Sequence, residues 1–276
     1  MELQFVKFNP SGNTTVLILD PLSREQYPEI AAKIMADTCL SAEQVGFLEQ
    51  ADEFGAVAKL HMMGGEFCGN ASRSFAAWIA AGGLEGKRPD GFYGEKEICI
   101  QVSGHAGILK ARVQNQGSGH TISAKIDMPL PLRILHGRNE GLGEYSIVIY
   151  EGITHVILWS KAADELYIDI AEDLLGKEGL SLDCFGVMFF NARINEMIPV
   201  VSVKAVDSLV WESSCGSGTA ALASALADRQ QGSVSNLMIS QPGGDLFVSV
   251  DWADGIMGCS LSGDIKITAT GTAYID

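Results

Sequence analysis

Short apolar and β-branched runs dominate the chain, and turn residues separate them. Runs rich in valine, isoleucine, leucine and phenylalanine between glycine, asparagine, aspartate and proline are typical of β-strands. Helical periodicity is less frequent and predicts helices at 27–36, 72–81, 162–175 and 219–231. The strand pattern predicts strands at 16–19, 97–102, 108–113, 146–150, 156–159, 187–190, 237–240 and 246–250.

The predicted helices at 72–81 and 219–231 consist almost entirely of small and apolar residues. Residues 220–227 read Ala-Ala-Leu-Ala-Ser-Ala-Leu-Ala, which is apolar nearly all round. A helix of this kind is enclosed on every side and does not rest with one face on a sheet. Strands wrapped around a central helix satisfy that requirement, so the sequence predicts an α+β fold of this type.

Three segments of the first half recur in the same order in the second half. Residues 13–19 resemble 153–159, 68–72 resemble 215–219, and 104–109 resemble 243–248. Ordered matches at similar spacing predict an internal duplication. We therefore expect two pseudo-symmetric lobes, residues 1–138 with Cys68 and 139–276 with Cys215, joined by a linker at 136–141. A small-molecule site is then expected between the lobes.

Composition narrows the class of protein. The chain has 276 residues, of which 47% are hydrophobic and 19% charged, enough for a sizeable core. A formal net charge of −15 argues against non-specific binding to nucleic acid or to anionic membranes. No apolar run reaches the roughly 18 residues of a membrane span, and the first residues lack a secretion signal. A cytoplasmic enzyme is the expectation.

The six cysteines are widely spread and include no Cys-x-x-Cys motif. In a reducing compartment each would by default be a buried small hydrophobic residue. The five histidines show no spacing typical of metal ligands, so no metal site is predicted.

Two of the cysteines lie in similar motifs, each of which runs into a small-residue helix. The motifs read Cys-Gly-Asn-Ala-Ser from Cys68 and Cys-Gly-Ser-Gly-Thr from Cys215. Backbone N–H groups and the macrodipole at a helix N-terminus favour a thiolate and bind a carboxylate. One thiolate can remove an α-proton while the other thiol delivers a proton to the opposite face, which inverts a stereocentre. No lysine has an obvious pyridoxal-phosphate context, and the alternative is that both cysteines are structural.

These elements resemble the cofactor-independent diaminopimelate epimerase superfamily over essentially the full chain. The resemblance implies two pseudo-symmetric lobes, each a β-barrel-like sheet around a central helix, and a two-cysteine racemisation without a cofactor. The similar elements are Phe-Asn-Pro-Ser-Gly-Asn at 8–13, Glu-Gln-Val-Gly-Phe at 43–47, Glu-Phe-Cys-Gly-Asn at 66–70, Cys-Gly-Ser-Gly-Thr at 215–219 and Gln-Pro-Gly-Gly at 241–244.

Two departures from the superfamily pattern concern the substrate. Diaminopimelate epimerases carry a Glu-Arg pair nine and eight residues before the second cysteine, and the arginine clamps the distal carboxylate. Here these positions are Val206 and Asp207, which would not hold a distal carboxylate. At the place of the family's Asn-Pro-His element this chain has Ile-Thr-His at 153–155, so only the histidine, His155, is kept. Diaminopimelate therefore fits poorly.

The segments 9–13, 39–47, 211–215, 241–244 and 269–275 narrow the resemblance. They are more similar to the branch of histidine racemases that supply D-histidine for staphylopine-type opine metallophores. In that branch the glutamate that matches Glu43 is implicated in holding the substrate imidazole, and a carboxylate is a natural partner for an imidazole N–H. Asn13 matches a substrate-binding asparagine. The alternatives are a solvated acid for Glu43 and a turn residue for Asn13.

The remaining candidate residues support the cysteines. His155 is expected either to tune the pKa of a thiol or to be a core histidine, and Glu66 and Glu212 could raise a thiol pKa if they lie near one. For Arg73 a structural salt bridge is expected. The backbone N–H groups expected to bind the α-carboxylate, or simply to be capped at a helix start, belong to Gly69, Asn70, Gly216 and Ser217.

The leading hypothesis is a racemase that interconverts L- and D-histidine through Cys68 and Cys215, with no cofactor and no metal. The partner is then a small amino acid, and a homodimer is compatible with this prediction. Alternatives are a diaminopimelate epimerase, another amino-acid racemase such as a proline-type one, a non-catalytic amino-acid-binding protein, or a thiol redox sensor.

Overall fold

The strand-rich pattern of the sequence corresponds to a mixed α+β fold with a large sheet. The computed structural model describes residues 1–86, 92–115, 121–204 and 208–276. Its helices are α1 (Tyr27–Met35), α2 (Gly69–Ala80), α3 (Glu165–Lys177) and α4 (Gly216–Gln230), with short 3₁₀ turns at Arg24–Gln26 and Gly83–Glu85. The chain divides into two compact units, Met1–Asp127 with Ser262–Asp276, and Met128–Leu261.

In the first unit, neighbouring strands pair alternately antiparallel and parallel from the first strand to the fifth. Along the sheet, β1 pairs antiparallel with β2, β2 parallel with β3, β3 antiparallel with β4, and β4 parallel with β5. Antiparallel pairs β5–β6 and β6–β7 follow. The strands are β1 (Glu2–Asn9), β2 (Thr15–Ile18), β3 (Gln44–Glu49), β4 (Lys59–Met62), β5 (Gly94–Val102), β6 (Ile108–Asn115) and β7 (Thr121–Asp127).

The second unit repeats this order of pairings. β9 pairs antiparallel with β10, β10 parallel with β11, β11 antiparallel with β12, β12 parallel with β14, and β14 antiparallel with β15. The strands are β8 (Arg133–Asn139), β9 (Gly143–Ile149), β10 (Thr154–Trp159), β11 (Cys184–Asn191), β12 (Glu196–Val203), β13 (Ser208–Trp211), β14 (Val234–Gln241) and β15 (Gly244–Trp252). The last strand of the chain, β16 (Ile256–Tyr274), has its first residues in the second unit and residues 262–274 in the first.

Burial differs among the strands. β6 and β7 alternate buried and exposed positions, as expected for antiparallel strands with one solvated face. β2 and β11, which each have a parallel neighbour, are buried along almost their whole length. Buried runs of this kind are typical of strands covered on both faces. The apolar runs of the sequence therefore identify the most buried strands.

Helices α2 and α4 occupy equivalent places in the order of elements. Each lies in the connection between two strands that pair in parallel, β4 and β5 for α2, and β12 and β14 for α4. α2 contacts β2, β5, β6 and β7, and α4 contacts β9, β10, β11, β14 and β15. Every residue of α2 except Ile79 is buried, as are most residues of α4. This enclosure agrees with the prediction from their small and apolar composition. The three repeated sequence segments lie at corresponding points: β2 and β10, the starts of α2 and α4, and the turns before β6 and β15.

The predicted linker at 136–141 is wrong. These residues form the end of β8 and its turn to β9, and β8 pairs antiparallel with β9 from Arg133–Ile149 to Asn139–Gly143. The Asn139 side chain accepts a hydrogen bond from Leu142 N at 2.7 Å, which closes the turn. Glycine, arginine and asparagine gave the segment a linker-like composition, but here they build a hairpin. The two compact units divide the chain at 127/128 and again at 261/262, so residues 262–276 belong to the first unit.

Within the described residues, no helix combines the length and the apolar character that crossing a bilayer would require.

Candidate active site

Cys68 lies immediately before α2, in the N-cap position. Its backbone is extended (φ −128°, ψ 112°), and its sulfur accepts a hydrogen bond from Ala71 N at 3.3 Å. Its carbonyl accepts the Ser72 hydroxyl at 2.7 Å. A sulfur in this place receives helix N-terminal donors and the positive end of the macrodipole, both of which favour the thiolate.

Cys215 has the same geometry in the second unit. Its backbone angles are φ −124° and ψ 111°, and its sulfur accepts from Gly218 N at 3.4 Å. Its carbonyl accepts the Thr219 hydroxyl at 2.6 Å. Gln241 adds a brace, because its Oε1 accepts from Cys215 N at 2.8 Å and its Nε2 donates to Thr219 at 2.9 Å. The two motifs therefore fold into the same local structure.

A glycine brings the Cys215 turn close to β11. A Cβ added to Gly218 would lie 2.2 Å from the sulfur of Met188 and 3.3 Å from Cys215 Sγ. A contact under 3.0 Å requires a neighbour to shift, so a larger residue here would displace the end of the Met188 side chain.

The environment of Cys215 favours the neutral thiol. Burial raises the pKa of the Cys215 thiol well above its usual range, and the nearby Glu212 carboxylate raises it further. The Ser217 hydroxyl, 3.5 Å from the sulfur, and the Gly218 N–H lower this pKa in part. The suggestion that Glu212 raises a thiol pKa is thus confirmed for Cys215. Glu66 instead accepts a hydrogen bond from Gly64 N at 2.9 Å, and burial raises its own pKa.

His155 is a buried residue of β10 that reaches the Cys215 turn through Ser217. Its Nε2 lies 3.0 Å from the Ser217 hydroxyl. Burial lowers the pKa of His155 from 6.5 to about 3, so the imidazole is neutral at pH 7. A Cβ on Gly186 would lie 2.5 Å from His155 Nδ1, so β11 leaves room for the ring only because it has glycine there. His155 is thus a core residue whose ring contacts the Ser217 hydroxyl, and its effect on a thiol pKa stays a prediction.

Replacing His155 by glutamine is expected to weaken the acid sensitivity of the fold. Between pH 6.5 and about 3 the unfolded chain binds a proton at His155 that the folded chain does not. Stability therefore falls as pH falls through this window, by at most about 1.4 kcal/mol per pH unit. Thermal unfolding of wild type and His155→Gln from pH 7 to pH 4 should show a shallower loss of Tm for the variant. Thr154→Ser, the buried neighbour, should keep the wild-type slope.

Gln44, which contacts the Cys68 thiol, was not among the predicted site residues. The Cys68 thiol donates to Gln44 Oε1 at 2.7 Å. Beside Gln44, at the start of β3, Glu43 accepts a hydrogen bond from the fully buried Asn13 at 2.9 Å. Asn13 Oδ1 has no hydrogen-bond partner within the described residues. Gln44 lies within the 43–47 element of the sequence, but only the fold brings it to the thiol.

The other predicted residues begin the two helices. Gly69 and Gly216 are the first residues of α2 and α4, and Asn70 and Ser217 follow them. The N–H groups of a first helical turn have no partner within the helix and suit a carboxylate. The Asn70 side chain accepts a hydrogen bond from the guanidinium of Arg73 at 2.8 Å. Arg73 is thus bonded to an amide, where a salt bridge was expected.

Two residues used to judge the substrate, Val206 and Asp207, lie outside the described residues. Across the described ranges, no three His, Cys, Asp or Glu side chains group as a metal site would need.

Comparison with known proteins places this chain among racemases. A histidine racemase of Fusobacterium nucleatum is 36% identical over 99% of this chain and 97% of its own length. A histidine racemase of Staphylococcus aureus is 27% identical over 99% of this chain and 98% of its own length. The structure of a hydroxyproline epimerase from Agrobacterium vitis has a TM-score of 0.66 at 11% identity, over 100% of this chain and 93% of that one. This last likeness shows a racemase-type fold.

A family model described as the histidine racemase CntK N-terminal domain matches residues 2–274. With nearly the whole chain matched, and the predicted superfamily confirmed, the chain belongs to the histidine racemase family.

Proposed function

We propose that this protein interconverts L- and D-histidine without a cofactor, with Cys68 and Cys215 as the two acid–base groups. Membership of the histidine racemase family supports the reaction and the substrate. The observation that carries the assignment of the residues is the matched geometry of the two cysteines. Each cysteine is an N-cap residue with an extended backbone. Its sulfur accepts a hydrogen bond from the backbone N–H three residues later, and its carbonyl accepts one from the side-chain hydroxyl four residues later.

The reaction moves one proton at each face of the α-carbon. The thiolate removes the α-proton, and its sulfur becomes a thiol. The other thiol gives its proton to the opposite face and becomes the thiolate, so the reverse reaction uses the same groups in exchanged roles. Backbone N–H groups of Gly69, Asn70, Gly216 and Ser217 are proposed to hold the α-carboxylate, which stabilises the charge that develops next to it.

Glu43 is the proposed partner of the substrate imidazole. A carboxylate accepts an imidazole N–H in a charge-assisted hydrogen bond. The Asn13 amide that donates to Glu43 fixes the orientation of this carboxylate, and its buried carbonyl is left to accept a substrate N–H. In the chain, Glu43 immediately precedes Gln44, whose side chain accepts a hydrogen bond from the Cys68 thiol.

Several finer features stay proposals. The repeated pairing order and the enclosed helices support two pseudo-symmetric lobes, each a barrel-like sheet around α2 or α4. A homodimer, a cytoplasmic location and a supply of D-histidine for an opine metallophore are expectations from the sequence and its resemblance.

A panel of amino acids tests the proposal. Purified protein is incubated with single L-amino acids, including histidine, proline and LL-diaminopimelate, and the enantiomers are separated by chiral chromatography. We expect D-histidine to form fastest, without added cofactor or metal. Faster conversion of diaminopimelate or proline would contradict the substrate. Binding of histidine with no conversion would indicate an amino-acid-binding protein instead.

A further inference from the structure

Lys7 is a half-buried lysine within the sheet of the first unit. It lies on β1, which pairs with β2 on one side and β16 on the other, opposite Val16 and Ala269. At this point Thr268 is the extra residue of a bulge in β16, and its hydroxyl donates to the Lys7 carbonyl at 3.1 Å. Bulges of this kind set the direction of a nearby side chain. The sheet thus fixes the place from which the Lys7 side chain extends.

The Lys7 ammonium bonds the turn at 36–42, which connects α1 to β3. Its Nζ donates to the carbonyl of Leu40 at 2.6 Å and to the carbonyl of Ser41 at 3.1 Å. Ser41 has a φ of +46°, in the left-handed region that a serine rarely adopts, and its hydroxyl donates to Asp37 at 2.9 Å. A backbone of this kind persists only where its surroundings hold it. A charged donor on two consecutive carbonyls is a strong hold of that type.

The turn leads directly into Glu43, the proposed partner of the substrate imidazole. The Glu43 N–H donates to the Thr14 carbonyl at 2.9 Å, and the Glu43 carboxylate accepts the Asn13 amide at 2.9 Å. These contacts hold Glu43 on the side of β3. On the side of the turn, Ala42 is buried in the apolar core that also contains residues of α1, and Ser41 precedes it. A shift of the Ser41 carbonyl therefore reaches Glu43 through a single buried residue.

The turn has other hydrogen bonds that should keep it folded without Lys7. Cys39 N and Ser41 N donate to the Ala36 carbonyl at 2.9 and 3.2 Å. These bonds use N–H groups of the turn, whereas Lys7 bonds the carbonyls of Leu40 and Ser41. Loss of the ammonium is therefore expected to leave the turn formed but less exactly placed.

We propose that Lys7 is a positioning residue for histidine recognition: by holding two carbonyls of the turn, it places the Glu43 carboxylate for the substrate imidazole. This inference rests on the proposed function, in which Glu43 binds the imidazole. Gln44, the next residue, is fixed separately, because its N–H donates to the Thr14 carbonyl at 3.1 Å and it pairs within β3 and β2. The effect of Lys7 should therefore concern binding of the substrate side chain more than proton transfer at the α-carbon.

Steady-state racemisation of L-histidine by wild type and Lys7→Met is the first test. Methionine keeps a long unbranched side chain but cannot donate to the two carbonyls. We expect KM to rise by about 3- to 10-fold, part of what a charged hydrogen bond contributes, and kcat to stay within about two-fold. Lys33→Met is the matched control, because Lys33 bonds the main-chain oxygen of Asp276 and the Glu29 carboxylate and no carbonyl of the turn. It should leave both constants unchanged.

A double-mutant cycle with Glu43→Gln separates positioning of the carboxylate from a general structural role. In Glu43→Gln protein, Lys7→Met should change KM by less than about two-fold, because the carboxylate that Lys7 places is already gone. Effects that multiply in the double variant would show that Lys7 acts elsewhere and would overturn the proposal. Lys7→Gln also lacks the ammonium and takes the place of Lys7→Met if that variant does not fold.

A binding measurement keeps this inference separate from the proposed racemisation. L-Histidine is titrated by calorimetry into Cys215→Ser protein, which is expected not to interconvert the enantiomers, with and without Lys7→Met. We expect Kd to rise by the same factor of about 3 to 10 with Lys7→Met. This rise, found together with a wild type that does not racemise histidine, would contradict the proposed reaction and still support the role of Lys7. An equal Kd with and without Lys7→Met, or no binding of histidine at all, would contradict the role of Lys7.

Discussion

Serine in place of Cys68 or Cys215 is expected to lower histidine racemisation by about 10²- to 10⁴-fold or more, the usual range for loss of a positioned acid–base group. A hydroxyl is a far weaker acid than a thiol and gives almost no alkoxide at neutral pH. Serine nevertheless suits an N-cap, because its oxygen accepts the same helix N–H. Both variants should therefore keep wild-type thermal stability within about 1 kcal/mol, and chiral chromatography measures the loss of activity.

Cys99→Ser is the matched control for these variants. Cys99 lies on β5 and has no place in the proposed site, so its replacement should leave racemisation unchanged. Wild-type racemisation in both Cys68→Ser and Cys215→Ser would rule out the two-thiol mechanism.

The second large effect is expected at Glu43. Glu43→Gln keeps the side-chain shape but removes the charge that is proposed to hold the imidazole. A hydrogen bond to a charged group contributes about 1.5–3 kcal/mol, so kcat/KM for histidine should fall by about 10- to 100-fold. Much of this loss should appear as a higher KM, since binding of the side chain is affected and the thiols are not.

The selectivity of Glu43→Gln separates the imidazole role from a structural one. The ratio of kcat/KM for histidine to that for asparagine or alanine should fall, because the lost contact concerns the side chain of the substrate. Glu95→Gln, at an exposed position of β5, should leave both values unchanged. An unchanged ratio in Glu43→Gln would contradict the proposed recognition of the imidazole.

The cysteine motifs could be located from the sequence because their information is local. A cysteine before a run of small residues predicts a helix start, and the structure places α2 and α4 there. The predicted starts at residues 72 and 219 were three residues late. Cys68 and Cys215 are the N-caps themselves, so Gly69 and Gly216 already belong to the helices.

Contacts between distant segments could not be predicted in this way. Gln44 is 24 residues from Cys68, and Gln241 is 26 residues from Cys215, yet each bonds its cysteine. The long strand β16 mixes glycine, serine and aspartate with apolar residues, so its local pattern indicates turns as much as a strand. β8 has the composition of a linker, and only its pairing with β9 makes it a strand.

The effects of charged residues near the cysteines in sequence also depend on tertiary structure. Arg73 and Glu212 are both visible in the sequence near a cysteine. Their effect depends on burial, which makes Arg73 an enclosed cation and brings the Glu212 carboxylate to bear on Cys215. The sequence therefore identifies the pair of thiols, and the fold determines which nearby charges are buried with them.

The central claim is that two separate thiols act on the α-carbon of histidine, and solvent deuterium tests it most directly. L-Histidine is incubated with the protein in D₂O, and the early product and the unreacted substrate are separated and analysed by mass spectrometry; D-histidine is treated likewise. We predict one deuterium at the α-carbon of the product and protium in the unreacted substrate, in both directions. A product that keeps its original α-hydrogen, or deuterium that enters the unreacted substrate as fast as product forms, would contradict this claim.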